Sequence, residues 1–356
     1  MKPGLATLTD LGSFDEIIDV RSPSEYADDH LPGARSFPVL DDAERARVGT
    51  LYTQESPFAA RKVGAALVAR NIASHLETEF ASRDKTWRPL VYCWRGGQRS
   101  GAMVTILRAI GWNAVQLEGG YKGYRRRVLE ELEALPPRFE FRVLCGPTGS
   151  AKTRLLQALA ATGAQVLDLE TLAAHKGSVL GVLPDTRQPS QKSFETALVK
   201  ALRDFDPARP VFIEAESRKI GQLRLPDALL AGMRAGRCYA IEAPVAARVD
   251  FLLEDYDYFL SRPEWLKSRL FALHDQHSRE TLQRWETLVD TRNWPDLVYE
   301  LLEQHYDPHY RRSQARHYES YSVPVTLPAA SLSSAELARL AKEITEPDCT
   351  GRESCA

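Results

Sequence analysis

The stretch RPLVYCWRGGQRSGAMVTILRAIGW, residues 88–112, decides the fold of the first part of the chain. It opens with a short apolar run at 88–92, which is typical of a strand buried on both faces in a parallel sheet. Two glycines then form a loop, and residues 100–112 follow with apolar side chains at helical spacing, namely Met103, Ile106, Leu107 and Ile110. A buried strand that passes through a glycine loop into a helix predicts a parallel α/β sheet.

The alternation of strands and helices recurs on both sides of a proline break. A charged helix runs into Pro136 and Pro137, and a helix cannot continue through them. We therefore predict one α/β domain over residues 1–135 and a second over residues 138–320, with a helical C-terminal region. Residues 321–356 are predicted to be a C-terminal extension that is partly mobile.

Composition and charge exclude several classes of protein. The 356 residues are 44% apolar and 26% charged, with a net charge of −2, which excludes a globally basic nucleic-acid binder. The start MKPGLATLTD lacks the apolar core of a signal peptide, and no apolar run is long enough to span a bilayer. The five cysteines form no CxxC pair. We predict a cytoplasmic protein with reduced thiols, no metal site and no membrane contact.

A reactive cysteine is predicted in the glycine loop. Cys93 follows the buried strand, and Gly96 and Gly97 allow the loop to turn its N–H groups inward around an anion. Arg95 and Arg99 add positive charge, and the helix that starts near residue 100 adds its dipole. These features lower a thiol pKa and favour the thiolate. The alternative is an inert buried cysteine. The C-x5-R spacing leaves a cysteine phosphatase and a carrier of sulfur or selenium both open.

A phosphate-binding loop is predicted at CGPTGSAKT, residues 145–153. It lies between a predicted strand and the helical RLLQALAAT, which is the context in which a Walker A match is credible. The predicted phosphate or diphosphate ligands are Gly146, Thr148, Gly149, Ser150, Lys152 and Thr153. Ala151 stands where the motif has glycine, and it costs about 1–2 kcal/mol if its φ is positive. The alternative is an ordinary strand-to-helix turn.

Two glutamates are candidates for an acid or for magnesium binding beside this loop. Glu214 and Glu216 end the apolar run of VFIEAES, where a phosphate-loop enzyme needs a carboxylate. The alternative is a solvated strand end or an ion pair with Arg218 or Lys219.

Two basic and aromatic stretches are candidates for nucleic-acid binding. HYDPHYRRSQARHY (305–318) and GYKGYRRR (120–127) combine rings that stack on unpaired bases with arginines that bind phosphate. The candidate residues are Arg125, Arg126, Tyr310, Arg311, Arg312 and Arg316. The alternative for each stretch is a solvated helix face with tyrosine packed beneath it.

The motifs together resemble a known family. DVRSPSEYADDHLPGARSFP (19–38), taken with CWRGGQRS, resembles a rhodanese domain, although Asp29 precedes His30 where glycine is usual. LDLETLAAHKGSVLG, QPSQKSFE, FIEAESRKIG and HYDPHYRRS, added to the phosphate loop, resemble the bacterial tRNA 2-selenouridine synthase family. The resemblance runs over about residues 15–320. Ala151 and the pair His175-Lys176, where the family tends to have His-Arg, are minor departures.

The resemblance implies a function and its co-substrates. It implies that selenium replaces sulfur in the wobble 2-thiouridine of tRNA, after geranyl diphosphate has alkylated that sulfur. Selenophosphate is the implied selenium donor, so an enzyme that supplies it is a candidate partner. No tightly bound cofactor is implied, and magnesium is an optional ion. Cys93 would carry selenium as a perselenide or hold the donor with Arg99, and Lys152 would hold the diphosphate.

The residues by themselves, without the resemblance, are also compatible with three other functions. The first is a Cys93 phosphatase fused to a nucleotide-binding domain. The second is a sulfur-relay or tRNA-binding module with a vestigial phosphate loop. The third is an RNA-dependent ATPase.

Overall fold

The computed structural model describes residues 4–310, 312 and 324–345. The chain divides into two compact units. The first runs to Glu131 and also includes Ser190–Thr196, and the second contains the remaining described residues.

The first unit is a five-stranded parallel sheet covered by helices. Its strands are β1 (Leu5–Ala6), β2 (Glu16–Asp19), β3 (Ala34–Ser36), β4 (Pro89–Tyr92) and β5 (Val115–Leu117), in the order β1-β5-β4-β2-β3. Its helices are α1 (Pro23–Asp28), α2 (Asp42–Gln54), α3 (Pro57–Glu77), α4 (Gln98–Ile110) and α5 (Gly120–Ala134, whose last three residues belong to the second unit). The chain reverses direction across the sheet between β2 and β4. Ligands of open α/β sheets bind at the carboxyl ends of the strands at such a point.

Local sequence signals explain the helices next to this point. The Ser56 side chain accepts a hydrogen bond from the Ala59 N–H, and Pro57 stands at the first helical position of α3. Helix α4 starts after the glycine loop and ends at Gly111, whose left-handed φ of 112° is typical of a helix C-terminus. Its buried face, formed by Met103, Val104 and Leu107, packs into the core below β4. The strand, loop and helix predicted over residues 88–112 are confirmed.

The second unit has a parallel sheet and a helical part. Its strands are β6 (Phe141–Cys145), β7 (Gln165–Leu167), β8 (Val211–Glu214), β9 (Lys219–Ile220), β10 (Leu223–Arg224), β11 (Arg237–Glu242) and β12 (Val325–Pro328). The sheet order is β12-β11-β6-β8-β7, and β9 and β10 form a separate antiparallel pair. The phosphate loop leaves the carboxyl end of β6, where the strand order again reverses.

The helices of the second unit fall into two groups. Beside the sheet lie α6 (Lys152–Ala161), α7 (Leu169–Ala173), α8 (Gln191–Asp204, whose first six residues belong to the first unit), α9 (Asp227–Ala235) and, at the end of the chain, α15 (Ser334–Thr345). The helical part contains α10 (Val245–Asp255), α11 (Asp257–Leu260), α12 (Pro263–Phe271), α13 (Arg279–Asp290) and α14 (Trp294–Leu301). A π-helical turn, Leu302–Tyr306, follows α14. The helical part packs around Trp285, which is fully buried.

The end of the chain differs from the predicted extension. Strand β12 pairs in parallel with β11, and α15 buries four side chains (Leu337, Leu340, Ala341 and Ile344) against the core that includes α6. Residues 325–345 therefore belong to the second unit because they cover an edge of its sheet. Residues 346–356 lie outside the described residues.

The cysteines also differ from the prediction. Cys145 and Cys238 lie on the neighbouring strands β6 and β11, with Cα atoms 6.2 Å apart, and form a disulfide. The prediction of reduced thiols is therefore wrong for this pair, because sheet pairing brings the two residues within bridging distance. Cys93 is a free cysteine. Among the described helices, none combines the length and the apolar character needed to cross a membrane.

Candidate functional site

The Cys93 loop surrounds a buried thiol with hydrogen-bond donors. Cys93 follows β4 directly and is 3% exposed. The Gly97 N–H lies 3.3 Å from its sulfur and the Ser100 hydroxyl 3.1 Å from it. Burial by itself raises the pKa of the Cys93 thiol, but the hydrogen bonds from Ser100 and Gly97 lower it. The charge of Arg99 lowers it further, so the pKa lies below its ordinary value and the thiolate is favoured.

The arginines of the loop have different surroundings. Arg99 forms a two-pronged ion pair with Glu25, with nitrogen–oxygen distances of 2.6 and 3.2 Å. Arg95 is exposed. Ser100, which the sequence indicates only as a helix start, is the residue that sequence reasoning missed here. Its position seven residues after Cys93, in the first turn of α4, is the signal that could have found it.

Asp29 replaces glycine in the rhodanese pattern and has a structural role. It is 3% exposed, and its carboxylate accepts hydrogen bonds from the Tyr121 hydroxyl at 2.8 Å and the Thr196 hydroxyl at 3.0 Å. The Arg21 guanidinium donates to its carbonyl oxygen at 2.6 Å and pairs with the buried Asp19. A glycine could not receive the two side-chain bonds, so the departure at Asp29 fits its surroundings.

Gly120, the first residue of α5, packs against the Cys93 loop and is expected to be highly sensitive to substitution. Its φ is +54°, and a Cβ there would overlap the Cys93 carbonyl oxygen and the Gly96 nitrogen. A left-handed alanine costs about 1–2 kcal/mol and overpacking typically about 1–3 kcal/mol, so we expect Gly120→Ala to reduce the free energy of unfolding by roughly 2–5 kcal/mol. Urea denaturation measures this. Gly12→Ala, where a Cβ meets nothing within 4 Å, is the matched control, and equal losses would contradict the account.

The phosphate loop has the backbone that its sequence requires. Gly146 and Gly149 have φ of 151° and 81°, and Ala151 has φ 58° and ψ 31°. Ala151 therefore has the positive φ at which the cost of about 1–2 kcal/mol applies. Lys152 begins α6 and donates to the Gly146 carbonyl oxygen at 2.9 Å. The structure thus brings the predicted phosphate ligands together at the carboxyl end of β6.

Three glutamates gather around Lys152. Glu214 ends β8, is 1% exposed and accepts the Glu170 N–H at 2.9 Å, and Glu170 accepts the Thr153 hydroxyl at 2.9 Å. Burial raises the pKa of Glu170, raises that of Glu214 strongly, and raises that of Glu216 to about 8. Burial lowers the pKa of Lys152, and the three carboxylates oppose that shift. Sequence reasoning missed Glu170, since it lies on α7 and only the fold brings it to the loop.

The raised pKa of Glu216 predicts a pH dependence of diphosphate binding. Glu216 is neutral below pH 8 and becomes an anion above it, so affinity for inorganic pyrophosphate in metal-free buffer should fall as the pH rises through 8. Calorimetric titration on either side of pH 8 measures the change. Glu216→Gln should flatten the dependence, and Glu286→Gln, an exposed site on α13, should not. The same slope in Glu216→Gln and in the wild type would contradict the assignment.

Arg248, on α10 of the helical part, donates hydrogen bonds to the phosphate loop. It is 3% exposed, donates to the Thr148 carbonyl oxygen at 2.7 and 2.9 Å, and pairs with Asp307 at 2.6 Å. Neither Arg248 nor Asp307 follows from the loop motif, although Asp307 lies in HYDPHY. Of the alternatives considered for these glutamates, Glu214 is not a solvated strand end, since it is 1% exposed, and Arg218 pairs with Asp227 instead.

The HYDPHY stretch belongs to the same site. His305, Tyr306, His309 and Tyr310 line a cavity of about 770 Å³ that also exposes Lys152, among other residues of the phosphate loop. Tyr310, a predicted tRNA-binding residue, therefore lies in this cavity. Arg312 is exposed, and Arg311 and Arg316 lie outside the described residues.

The second predicted basic cluster lies on α5. Arg125 pairs with Glu195, and Arg126 lies 3.8 Å from Glu130 on the exposed face of the helix. Binding of tRNA by either cluster stays a prediction.

A second, apolar cavity shares walls with the phosphate cavity. Thr148, Leu252, Tyr256 and Tyr306 line both. The remaining lining residues are all apolar or aromatic: Leu180, Leu253, Phe259, Leu260, Leu266, Trp294, Leu297, Val298, Leu301 and Leu302. The site therefore joins an anion cradle to an apolar space.

Comparison with known proteins identifies the family. Residues 5–127 match the rhodanese-like domain, and residues 139–268 match the tRNA 2-selenouridine synthase AAA domain. The tRNA 2-selenouridine synthase of Alcanivorax borkumensis is 33% identical over 328 residues, covering 83% of this chain and 88% of that protein. The chain belongs to the tRNA 2-selenouridine synthase family. Its membership confirms the resemblance and the predicted α/β fold class.

Two other relatives show how far the similarity to this family extends. The tRNA 2-selenouridine synthase of Marinobacter nauticus is 31% identical, covering 83% of this chain and 87% of its own length. That of Nitrosomonas europaea is 37% identical over 258 residues, covering 71% of this chain and 66% of that protein. Cys93 lies in the rhodanese-like match and the phosphate loop in the AAA match.

Proposed function

We propose that this protein is a tRNA 2-selenouridine synthase. It replaces sulfur by selenium in wobble 2-thiouridine of tRNA, through an S-geranyl intermediate made from geranyl diphosphate, with selenophosphate as donor. The names of its relatives support the overall reaction. The observation that carries the geranyl step is the apolar cavity that shares Thr148 with the phosphate loop. The two cavities have the chemistry of a diphosphate head and an apolar chain, and the polar sugar and base of ATP do not suit the apolar one. The apolar cavity has a volume of about 70 Å³, so it would take only the first carbons of a geranyl chain and the rest would extend into the larger cavity of about 770 Å³.

The phosphate loop would stabilise the departing diphosphate in the alkylation step. As the bond between the allylic carbon and the diphosphate breaks, negative charge develops on the leaving oxygens. The loop N–H groups and Lys152 would stabilise that charge in a partly desolvated site. The sulfur of 2-thiouridine forms the new bond to carbon, and the alkylated sulfur is then a better leaving group than the thiocarbonyl.

Magnesium fits this site as an optional ion. Within the described residues, no cluster of three or more His, Cys, Asp or Glu side chains is arranged to hold a metal. The Thr153 hydroxyl and the Glu170 carboxylate would hold magnesium together with diphosphate oxygens, since this ion commonly takes one or two protein ligands beside phosphate. When bound, it would neutralise charge on the diphosphate.

Electron balance favours one of the two roles considered for Cys93. Selenium in selenophosphate is at the oxidation level of selenide, and a perselenide on cysteine requires the loss of two electrons. Direct attack of the donor's selenium on carbon 2 of the base needs no oxidant. The alkylated sulfur leaves as a thiol, and water cleaves the phosphorus–selenium bond to give phosphate. The Cys93 loop would then bind and orient the donor.

The test is incubation of the protein with 2-thiouridine tRNA and geranyl diphosphate. Nucleoside mass spectrometry should show S-geranyl-2-thiouridine, with diphosphate released in equal amount. ATP turnover stimulated by tRNA, without any nucleoside change, would instead favour the RNA-dependent ATPase.

A further inference from the structure

Three histidines meet beside the phosphate cavity. His277 Nε2 and His305 Nδ1 are 3.0 Å apart, within hydrogen-bond distance. The rings of His305 and His309 are 4.7 Å apart. His305 and His309 line the cavity that contains Lys152, and His277 is half-buried and packs edge-on against Trp285. The trio thus runs from the cavity into the helical part.

The backbone around His305 is unusual. His305 is 4% exposed and lies in the π-helical turn Leu302–Tyr306. Such turns are rare and often occur at functional sites, because the wider turn changes where side chains emerge. Here the same turn places Tyr306 in both cavities and is followed by Asp307, which braces the phosphate loop through Arg248.

His305 is a neutral imidazole at working pH. Burial, together with the opposition of His309 and His277 to a second positive charge, lowers its pKa to about 4. Three single residues with titratable side chains face His305: His277 and His309 of the trio, and Tyr306, whose ring packs against the His305 ring. The charged groups on neighbouring elements form two ion pairs, Arg248–Asp307 and Arg284–Glu300. A neutral imidazole has one nitrogen that donates and one that accepts.

We propose that His305 is the base that removes the N3 proton of 2-thiouridine during alkylation, and that His277 relays this proton away. The proposal rests on the proposed function. In the tautomer it requires, His305 donates its Nδ1–H to His277 Nε2 and presents a free electron pair on its own Nε2. His277 is then a positioning residue that also receives the proton.

The step balances in atoms and electrons. The sulfur forms a bond to the allylic carbon, and the carbon–oxygen bond to diphosphate breaks with its electron pair on oxygen. The carbon–sulfur double bond becomes single, and the N3–H electron pair becomes the carbon 2–N3 double bond. The proton passes to His305 Nε2 while the Nδ1 proton moves to His277. Alkylation of the sulfur makes the N3–H of the base far more acidic, so a neutral imidazole with a pKa of about 4 can accept this proton as the carbon–sulfur bond forms.

The carboxylates of the cavity are less suited to this step. Glu170 accepts the Thr153 hydroxyl, and a Cβ on Gly177 would contact both Glu170 and Glu216. These carboxylates surround Lys152, so they lie beside the diphosphate. The catalytic base must instead lie where it can reach N3 of the nucleoside.

The test compares two starting tRNAs. His305→Gln should slow alkylation of 2-thiouridine tRNA by about 100-fold or more in single turnover, the usual contribution of a general base. Conversion of S-geranyl-2-thiouridine tRNA to 2-selenouridine should stay unchanged, since that tRNA has no N3 proton to remove. Added imidazole should restore part of the alkylation rate. His277→Gln, which still accepts the Nδ1–H but relays no proton, should lose less.

The controls separate this proposal from the proposed function. His274→Gln, an exposed histidine beside Asp275, should alkylate at the wild-type rate. An active wild type with an equally active His305→Gln would overturn the proposal alone. Equal loss of both conversions in His305→Gln, without rescue by imidazole, would also overturn it. A wild type that does not alkylate tRNA would instead overturn the proposed function.

Discussion

Replacing Cys93 with alanine is expected to abolish selenium incorporation while leaving alkylation of the tRNA intact. The loop donors that surround its sulfur, the Gly97 N–H and the Ser100 hydroxyl, favour a negatively charged group at this position. The phosphate loop and its cavities are built from residues of the second unit, so we expect the proposed alkylation not to depend on the thiol. Nucleoside mass spectrometry of tRNA supplied with both co-substrates should show S-geranyl-2-thiouridine accumulating in place of 2-selenouridine.

Cys93→Ser and Ser100→Ala refine this result. Serine keeps a small polar group but is not ionised near neutral pH, so it should fail as completely as alanine if the thiolate is needed. Ser100→Ala removes one hydrogen bond to the sulfur and should raise the pKa of Cys93 and slow selenation partially. Survival of selenation in Cys93→Ala would show that the thiol neither holds nor orients the donor.

Replacing Lys152 with alanine is expected to reduce alkylation by a factor of about 100 to 1,000, the usual effect of removing one group that stabilises developing charge. Lys152 is the cation that the phosphate loop presents to the cavity, so its loss removes the positive charge that would stabilise the departing diphosphate oxygens. Single-turnover alkylation with geranyl diphosphate measures the effect. Lys267→Ala, which removes a lysine on α12 paired with Glu264 and Asp290, is the matched control.

A reaction that starts from S-geranyl-2-thiouridine tRNA shows whether Lys152 acts only in the alkylation step. S-geranyl-2-thiouridine tRNA needs no diphosphate, so Lys152→Ala should convert it to 2-selenouridine at the wild-type rate. Unchanged alkylation in Lys152→Ala would place the diphosphate elsewhere in the protein.

The strand–loop–helix units were predictable because their signals are local. Buried apolar runs, glycines and helical spacing lie within about 25 residues of one another around both Cys93 and Lys152. The motif raised a left-handed backbone at Ala151 only as a condition, because alanine stands where the motif has glycine, and the structure shows that backbone.

The partners of these residues were not predictable because the fold brings them from distant parts of the chain. Glu170 reaches Thr153 from α7, and Arg248 reaches Thr148 from α10. No local pattern indicates that residues 190–196 group with the first unit or that β12 completes the second sheet. HYDPHY has the composition of a nucleic-acid surface, but its π-helical turn directs His305 into the phosphate cavity.

The most direct test of the account gives the protein 2-thiouridine tRNA with geranyl diphosphate alone, selenophosphate alone, or both, and analyses the nucleosides by mass spectrometry. We expect S-geranyl-2-thiouridine with geranyl diphosphate alone, no change with selenophosphate alone, and 2-selenouridine only with both. Formation of 2-selenouridine from selenophosphate alone would contradict the alkylated intermediate and the role assigned to the phosphate loop.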